Sequence, residues 1–155
     1  MKCVFPDCNT SVQIGLPLCS VHLKTHYQVE IRSSSIVPNE LGLFACRVFL
    51  PHEFIVPYQG EILTESELSV RYDENDTAPY AINTPMGIID GALWRGIASM
   101  VNHSNCGNCV TVALTENVWV TAVSQIADGE EISFNYFGAT SDNLYEFVPG
   151  IHSTY

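Results

Sequence analysis

Gly129-Glu130-Glu131-Ile132-Ser133-Phe134-Asn135-Tyr136 decides how this chain is read, together with the shorter Asn102-His103-Ser104 upstream of it. Asp128-Gly129 is a turn signal, and the residues after it alternate between polar and apolar, so 131–136 is expected to be a strand. Taken alone, Tyr136 at the end of such a strand is an aromatic that packs. His103 taken alone is a histidine with a structural partner. What surrounds them changes both readings.

Working outward, 110–114 and 118–123 form a hairpin around Glu116-Asn117. Short strands are expected at 80–83 and 87–90, and 73–79 is polar loop. Thr64-Glu65-Ser66-Glu67 has capping-box spacing and starts a short helix that runs to about Tyr72. Another strand pair, 54–56 and 58–63, lies around Pro57. A turn at Pro38-Asn39-Glu40 leads to Leu41-Gly42-Leu43-Phe44-Ala45, a short buried strand whose glycine lets backbone come close to something. The stretch 27–32 alternates well enough for a first strand. No internal repeat or low-complexity segment is visible. The expectation is a mainly β domain with little helix.

A chain of 155 residues is one ordinary domain with room for a small appendage. Its 46% hydrophobic share supplies a core, and a charged share of only 15% argues against large-scale disorder. Seventeen acidic side chains face six basic ones, for a net charge of −11. Such a chain is a poor tracker of phosphate backbones, so no direct nucleic-acid binding is expected. A basic partner suits it, as does a plain solvated acidic surface. No apolar run is long enough to span a membrane, and no secretory leader is visible, which points to a nuclear or cytoplasmic setting rather than secretion.

Reduced cysteines in that setting favour metal over disulfides. Cys3, Cys8, Cys19 and His22 sit among turn residues at a spacing that suits one tetrahedral zinc with three thiolates and an imidazole. The expected role is structural, in a segment spanning 1–27, with His26 as the substitute ligand. Cys106-x2-Cys109 is a weaker signal, read as two buried thiols or an opportunistic pair. Cys46, on an apolar strand, is expected in the core.

Four segments occur in order: Leu41-Gly42-Leu43-Phe44-Ala45, Tyr58-Gln59-Gly60-Glu61, Asn102-His103-Ser104 with Asn108, and Gly129 to Tyr136. This order resembles the SET-domain family of protein lysine methyltransferases, and the likeness runs from about 30 to 136. The resemblance implies small curled β-sheets with a C-terminal pseudoknot, here 28–137, and a tail at 138–155. It implies S-adenosyl-L-methionine as cofactor, held by backbone at Leu41, Gly42 and Leu43 and by Asn102, His103 and Tyr136. It also implies methyl transfer at Tyr136, through a substrate channel walled by Tyr58, Tyr80 and Phe134. The implied substrate is a lysine in a basic protein segment, a histone tail first of all, which would make the protein a chromatin regulator.

The residue types suit that chemistry. Transfer from a sulfonium needs alignment and exclusion of water. The accepting lysine must be neutral although its free pKa is about 10.4, and an apolar channel lowers that value. The chain departs from the family's pattern at Glu40 (for glycine), Ser99 (for arginine), Asn105-Cys106-Gly107 (for Cys-x-Pro) and Asn135 (for aspartate). Those departures motivate a rival reading, a catalytically weak module that binds peptides or proteins. No cysteine follows Cys109 in this sequence, so the family's C-terminal zinc site is not expected here. Tyr145, Phe147 and Tyr155 are then the candidates for a channel lid, with a homodimer as the other means of closing it.

Overall fold

The computed structural model describes residues 1–12, 16–72, 78, 80–85, 87–93, 96–114 and 117–138. The chain opens with a tight N-terminal loop, then a single turn of helix, α1 (Ser20–His22), which widens into a π-helical turn at Leu23–Tyr27. Gln28 ends it in the left-handed region, with φ 57°. The first strand, β1 (Val29–Ser33), therefore begins two residues later than alternation suggests. Cys19 and His22 are separated by one helical turn, and this local winding was not apparent among the turn-forming residues.

Next come β2 (Leu41–Ala45), β3 (Phe54–Tyr58), β4 (Glu61–Leu63) and helix α2 (Glu65–Arg71). They are followed by β5 (Ala81–Thr84), β6 (Gly87–Asp90), a 3-10 turn at Ile97–Met100 and the two-residue β7 (Asn102–His103). The last are β8 (Cys109–Leu114), β9 (Asn117–Ala122) and β10 (Glu131–Phe134). The larger sheet runs β1-β2-β10-β8-β9-β3 with β7 also paired to β10, and β4-β6-β5 forms a small second sheet. The molecule is thus mainly β with little helix, as expected.

The 54–63 region corrects the strand pair expected around Pro57. Pro57 lies inside β3, opposite Trp119 of β9. That placement is tolerated because β3 is an edge strand, so a missing N–H interrupts no ladder on its open side. The break falls at Gln59-Gly60, where the chain leaves one sheet for the other. A Cβ on Gly60 would sit 2.4 Å from the Asp90 carbonyl oxygen, so only glycine permits that approach. The capping box on α2 forms as read: Thr64 Oγ1 accepts from the Glu67 amide and the Glu67 carboxylate accepts from the Thr64 amide.

The core is continuous. Leu43, Phe49, Val56, Val101, Val120, Ile126 and Ile132 are almost wholly buried. Leu18, Cys19 and Leu23 from the N-terminal segment belong to the same cluster. Cys46 is only partly buried, at the rim of the core where full burial was expected.

Candidate active site

The site is built where β10 runs between β2 and β7. Ser133 and Phe134 pair in parallel with Asn102 and His103, while Glu131 and Ile132 pair antiparallel with Phe44 and Leu43. The two segments that decided the reading are therefore side by side. Asn108 seals the junction: its amide donates to the Glu131 carbonyl at 2.9 Å, and its side-chain oxygen accepts from the Ser133 amide at 3.0 Å. Gly107 passes so close that a Cβ there would lie 2.6 Å from the Phe134 Cα. Its amide also donates to the Ser104 carbonyl. A proline at 107 would lack that N–H, so this chain closes the turn with a hydrogen bond that the family's proline cannot donate.

Tyr136 follows directly. Its amide donates to His103 Nδ1 at 3.1 Å, which leaves the proton on Nε2 to be donated to Asn105 Oδ1, also at 3.1 Å. His103 is thus an orienting group with both nitrogens engaged. The Tyr136 hydroxyl donates to the Val101 carbonyl at 2.7 Å. Burial first, then the neighbouring Tyr80 and Glu40, pushes its pKa up to about 12, so it stays a neutral donor at any working pH.

On one side of Tyr136 lies a cavity of about 490 Å³. Tyr58, Tyr80, Phe134 and Tyr136 line it with Ile82, Val101 and Ser99 among others. Tyr58 is buried, and its hydroxyl donates to the Tyr80 carbonyl at 3.1 Å. Burial, with Tyr136 and Asp90 nearby, raises its pKa as well. Phe134 bridges the aromatic set, 5.1 Å from Tyr136 and 6.5 Å from Tyr58, ring centre to ring centre. A space of this size and lining suits a long apolar stem. Ser99, the second departure, sits in its wall with its hydroxyl donated to the Gly96 carbonyl.

On the other side, Asn102 and β2 meet over Glu131. The Asn102 amide reaches Glu131 Oε1 at 2.9 Å and the Leu41 carbonyl at 3.0 Å. Glu131 also accepts from the Ser34 hydroxyl at 2.7 Å and from the Ser35 amide and hydroxyl at 2.6 Å each. Burial would raise its pKa, yet these donors together outweigh that and hold it below the ordinary carboxylate range. A Cβ on Gly42 would lie 2.2 Å from Glu131 Oε1, so the glycine clears space for a pinned carboxylate. Neither the Glu131 role nor that of Ser34 and Ser35 was read from the sequence. The clue was a glycine with no turn to make. Leu43 is fully buried, backbone included, between Ile31 of β1 and Ile132 of β10, whereas Leu41 is exposed.

Away from this site, Cys3, Cys8, Cys19 and His22 come together with their ligand atoms all within 4.8 Å of one another, an arrangement able to hold a metal ion. His26 lies outside that cluster and packs edge-on against Phe5 and Tyr27. Cys109 is buried, and its thiol is pushed up by that burial, but Cys106 is exposed, so the pair is not two buried thiols. Tyr145, Phe147 and Tyr155 lie outside the described residues.

Comparison with known proteins agrees with this geometry. Histone-lysine N-methyltransferase trr of Drosophila melanogaster is 31% identical over 104 residues, covering 62% of this chain and 4% of that protein. Histone-lysine N-methyltransferase 2D of Homo sapiens is 30% identical over 105 residues, covering 62% of this chain and 2% of that protein. The chain therefore spans only a few per cent of these relatives' length. The solved structure of ctPRC2 in an autoinhibited conformation bound to S-adenosylmethionine shares the fold with a TM-score of 0.62 and 28% identity, over 77% of this chain and 16% of that one. Residues 40–137 match the family described as SET domain. On that match, the order of its motifs and the way β10 joins them, the chain belongs to the SET-domain family.

Proposed function

We propose that this chain transfers a methyl group from S-adenosylmethionine to a lysine side chain in a basic protein segment, with a histone tail as the first candidate and the nucleus as the setting. The observation that carries the reading is Tyr136. Its ring lines the apolar cavity, its backbone is held by His103 beside Asn102, and its hydroxyl is fixed on the Val101 carbonyl. It stands where a substrate entering from one side and a cofactor seated on the other would meet.

The cofactor, when bound, supplies an electrophilic methyl on a sulfonium. Its proposed seat is the edge formed by the backbone of Leu41 and Gly42 with Asn102 and His103. The group set fits an alignment role, because the Asn102 amide and the ionised Glu131 carboxylate are locked on each other and on Ser35 before anything binds. Everything else falls to the cavity. Tyr58, Tyr80, Phe134 and Tyr136 hold the lysine stem in line and keep water away. The low-dielectric surroundings disfavour ammonium, so the amine arrives neutral. The carbonyls of Val101 and Tyr80 accept from fixed hydroxyls, which therefore point the same way throughout. A net charge of −11 favours the approach of a basic substrate to the molecule.

Incubation with labelled S-adenosylmethionine and histones, wild type beside Tyr136→Phe, tests this directly. The wild type is expected to label histone, and the variant to be slower by about 10²-fold through loss of alignment. Wild-type protein that labels neither histones nor a broad lysate would sink the enzyme reading. The rival, a peptide-binding module without activity, rests on Glu40, Ser99 and Asn135. Calorimetry separates them, since a module that has lost the reaction has no need to bind the cofactor.

A further inference from the structure

The N-terminal cysteines are left unused by the proposed reaction, and their geometry is specific. His22 Nδ1 lies 3.3 Å from Cys3 Sγ and 3.4 Å from Cys19 Sγ. Cys8 Sγ lies 4.0 Å from Cys19 Sγ. A tetrahedral zinc ion with Zn–S of about 2.3 Å and Zn–N of about 2.0 Å has S···S edges of roughly 3.8 Å and S···N edges of roughly 3.5 Å. The three separations fit those edges to within a few tenths of an ångström. They do not fit a disulfide, which needs about 2.05 Å between sulfurs.

The backbone is arranged to present these atoms. Cys3 and Cys8 flank a tight turn in which the Cys8 amide donates to the Phe5 carbonyl and Asp7 has φ 59°. The Cys3 amide donates to the Thr10 carbonyl, closing the loop. Cys19 caps α1, so His22 one turn later faces the same way. The Cys19 amide donates to the Cys3 sulfur at 3.4 Å, which fixes the direction of that sulfur. Phe5 stacks on the His22 ring at 4.0 Å and 14°, which fixes the imidazole plane from the outside.

The geometry points to one zinc ion held by Cys3, Cys8, Cys19 and His22 Nδ1, acting as a structural clamp behind β1 rather than in catalysis. Four protein ligands close the tetrahedron and leave no position for water or substrate. Three thiolates and an imidazole select a borderline-soft ion; calcium and magnesium want oxygen, and iron–sulfur clusters usually want four thiolates. The clamp matters to the whole domain because Cys3, Leu18, Cys19 and Leu23 pack into the same core as Val29 and Leu43. Few other apolar groups hold residues 1–12 in place, and a segment this short gains stability from metal where burial is insufficient.

Metal content of the full purified chain, measured by mass spectrometry, is expected at one zinc per chain. Cobalt(II) added to chelator-treated protein should give tetrahedral visible bands and thiolate charge transfer, saturating at one equivalent and displaced by zinc. Cys8→Ala and His22→Ala should lose those bands, and Cys106→Ser should keep them. Should the alanine variants fold poorly, His22→Cys settles the matter, because it should retain one cobalt with bands shifted to the red. Chelation should lower the thermal midpoint by about 5–10 °C. Natively folded protein with no stoichiometric zinc and no cobalt bands, or bands unchanged in Cys8→Ala, would overturn the site. None of these readouts depends on methyl transfer, so they stand apart from the fate of the proposed function.

Discussion

Gly42 has no turn to make and no positive φ, yet a side chain there meets Glu131 Oε1 at 2.2 Å. Glu131 cannot step aside, because it holds Ser34, Ser35 and Asn102 at once. Gly42→Ala is therefore expected to cost about 1–3 kcal/mol in urea unfolding and to weaken S-adenosylmethionine binding in calorimetry. An alanine variant of wild-type stability would show the carboxylate to be freer than its bonds imply. Tyr136 makes a second expectation at this scale. With its pKa near 12, it does not ionise where the lysine does, so kcat/KM should climb through about pH 7 to pH 10 with no falling limb. A descending limb below pH 10 that disappears in Tyr136→Phe would contradict that. At this scale the sequence was legible for Asn102, His103 and Tyr136, whose motif names them. It was not legible for Ser34 and Ser35, because a hydrogen bond across 96 or 97 positions leaves no local pattern.

Helix α2 shows what local signals predict well. Thr64 and Glu67 cap it within four residues, and the box forms as the spacing implied. None of its residues is buried, so the cap carries much of what keeps the helix wound. Thr64→Ala should lower helix stability by about 1 kcal/mol, seen as faster amide exchange at Glu67 and Leu68 with little change in the global urea midpoint. A large global shift would mean that α2 supports the core more than its burial indicates. The β8–β9 hairpin and β10 were equally legible, since alternation and turn residues are short-range. Pro57 was misleading for a topological reason. Whether a proline ends a strand depends on whether that strand has one neighbour or two, and only the assembled sheet decides it. The winding of 20–27 was hidden for another reason: only Leu23 in it is buried, so no apolar period marks it.

Two buried carboxylates set the acid limit of the whole molecule. Asp90 is fully buried; burial alone would raise its pKa, but the Arg71 guanidinium at 2.8 Å, the Ala92 amide and the Tyr72 hydroxyl hold it below the usual range. Glu131 is held low in the same way. A folded pKa below the unfolded value contributes stability above the unfolded pKa of about 4, and that contribution fades as pH falls through the folded value. Urea stability should therefore change little from this cause between about pH 7 and pH 5 and drop below about pH 4. Asp90→Asn should show a lower plateau and a shallower drop, and an identical acid profile in that variant would remove Asp90 from the account. The family was legible at this scale because four motifs kept their order, while the joining of N-terminal knuckle and domain into one core was not, since it depends on long-range packing. One consequence of the sheet order reaches beyond the folded state. β10 pairs with β2, β7 and β8, yet it follows every other strand of the described residues along the chain. On the ribosome, β2 and β8 must therefore wait, edges open, until residues 131–134 have emerged. The centre of the larger sheet is laid last of its strands, and the edges beside it stay open, or are shielded, until then.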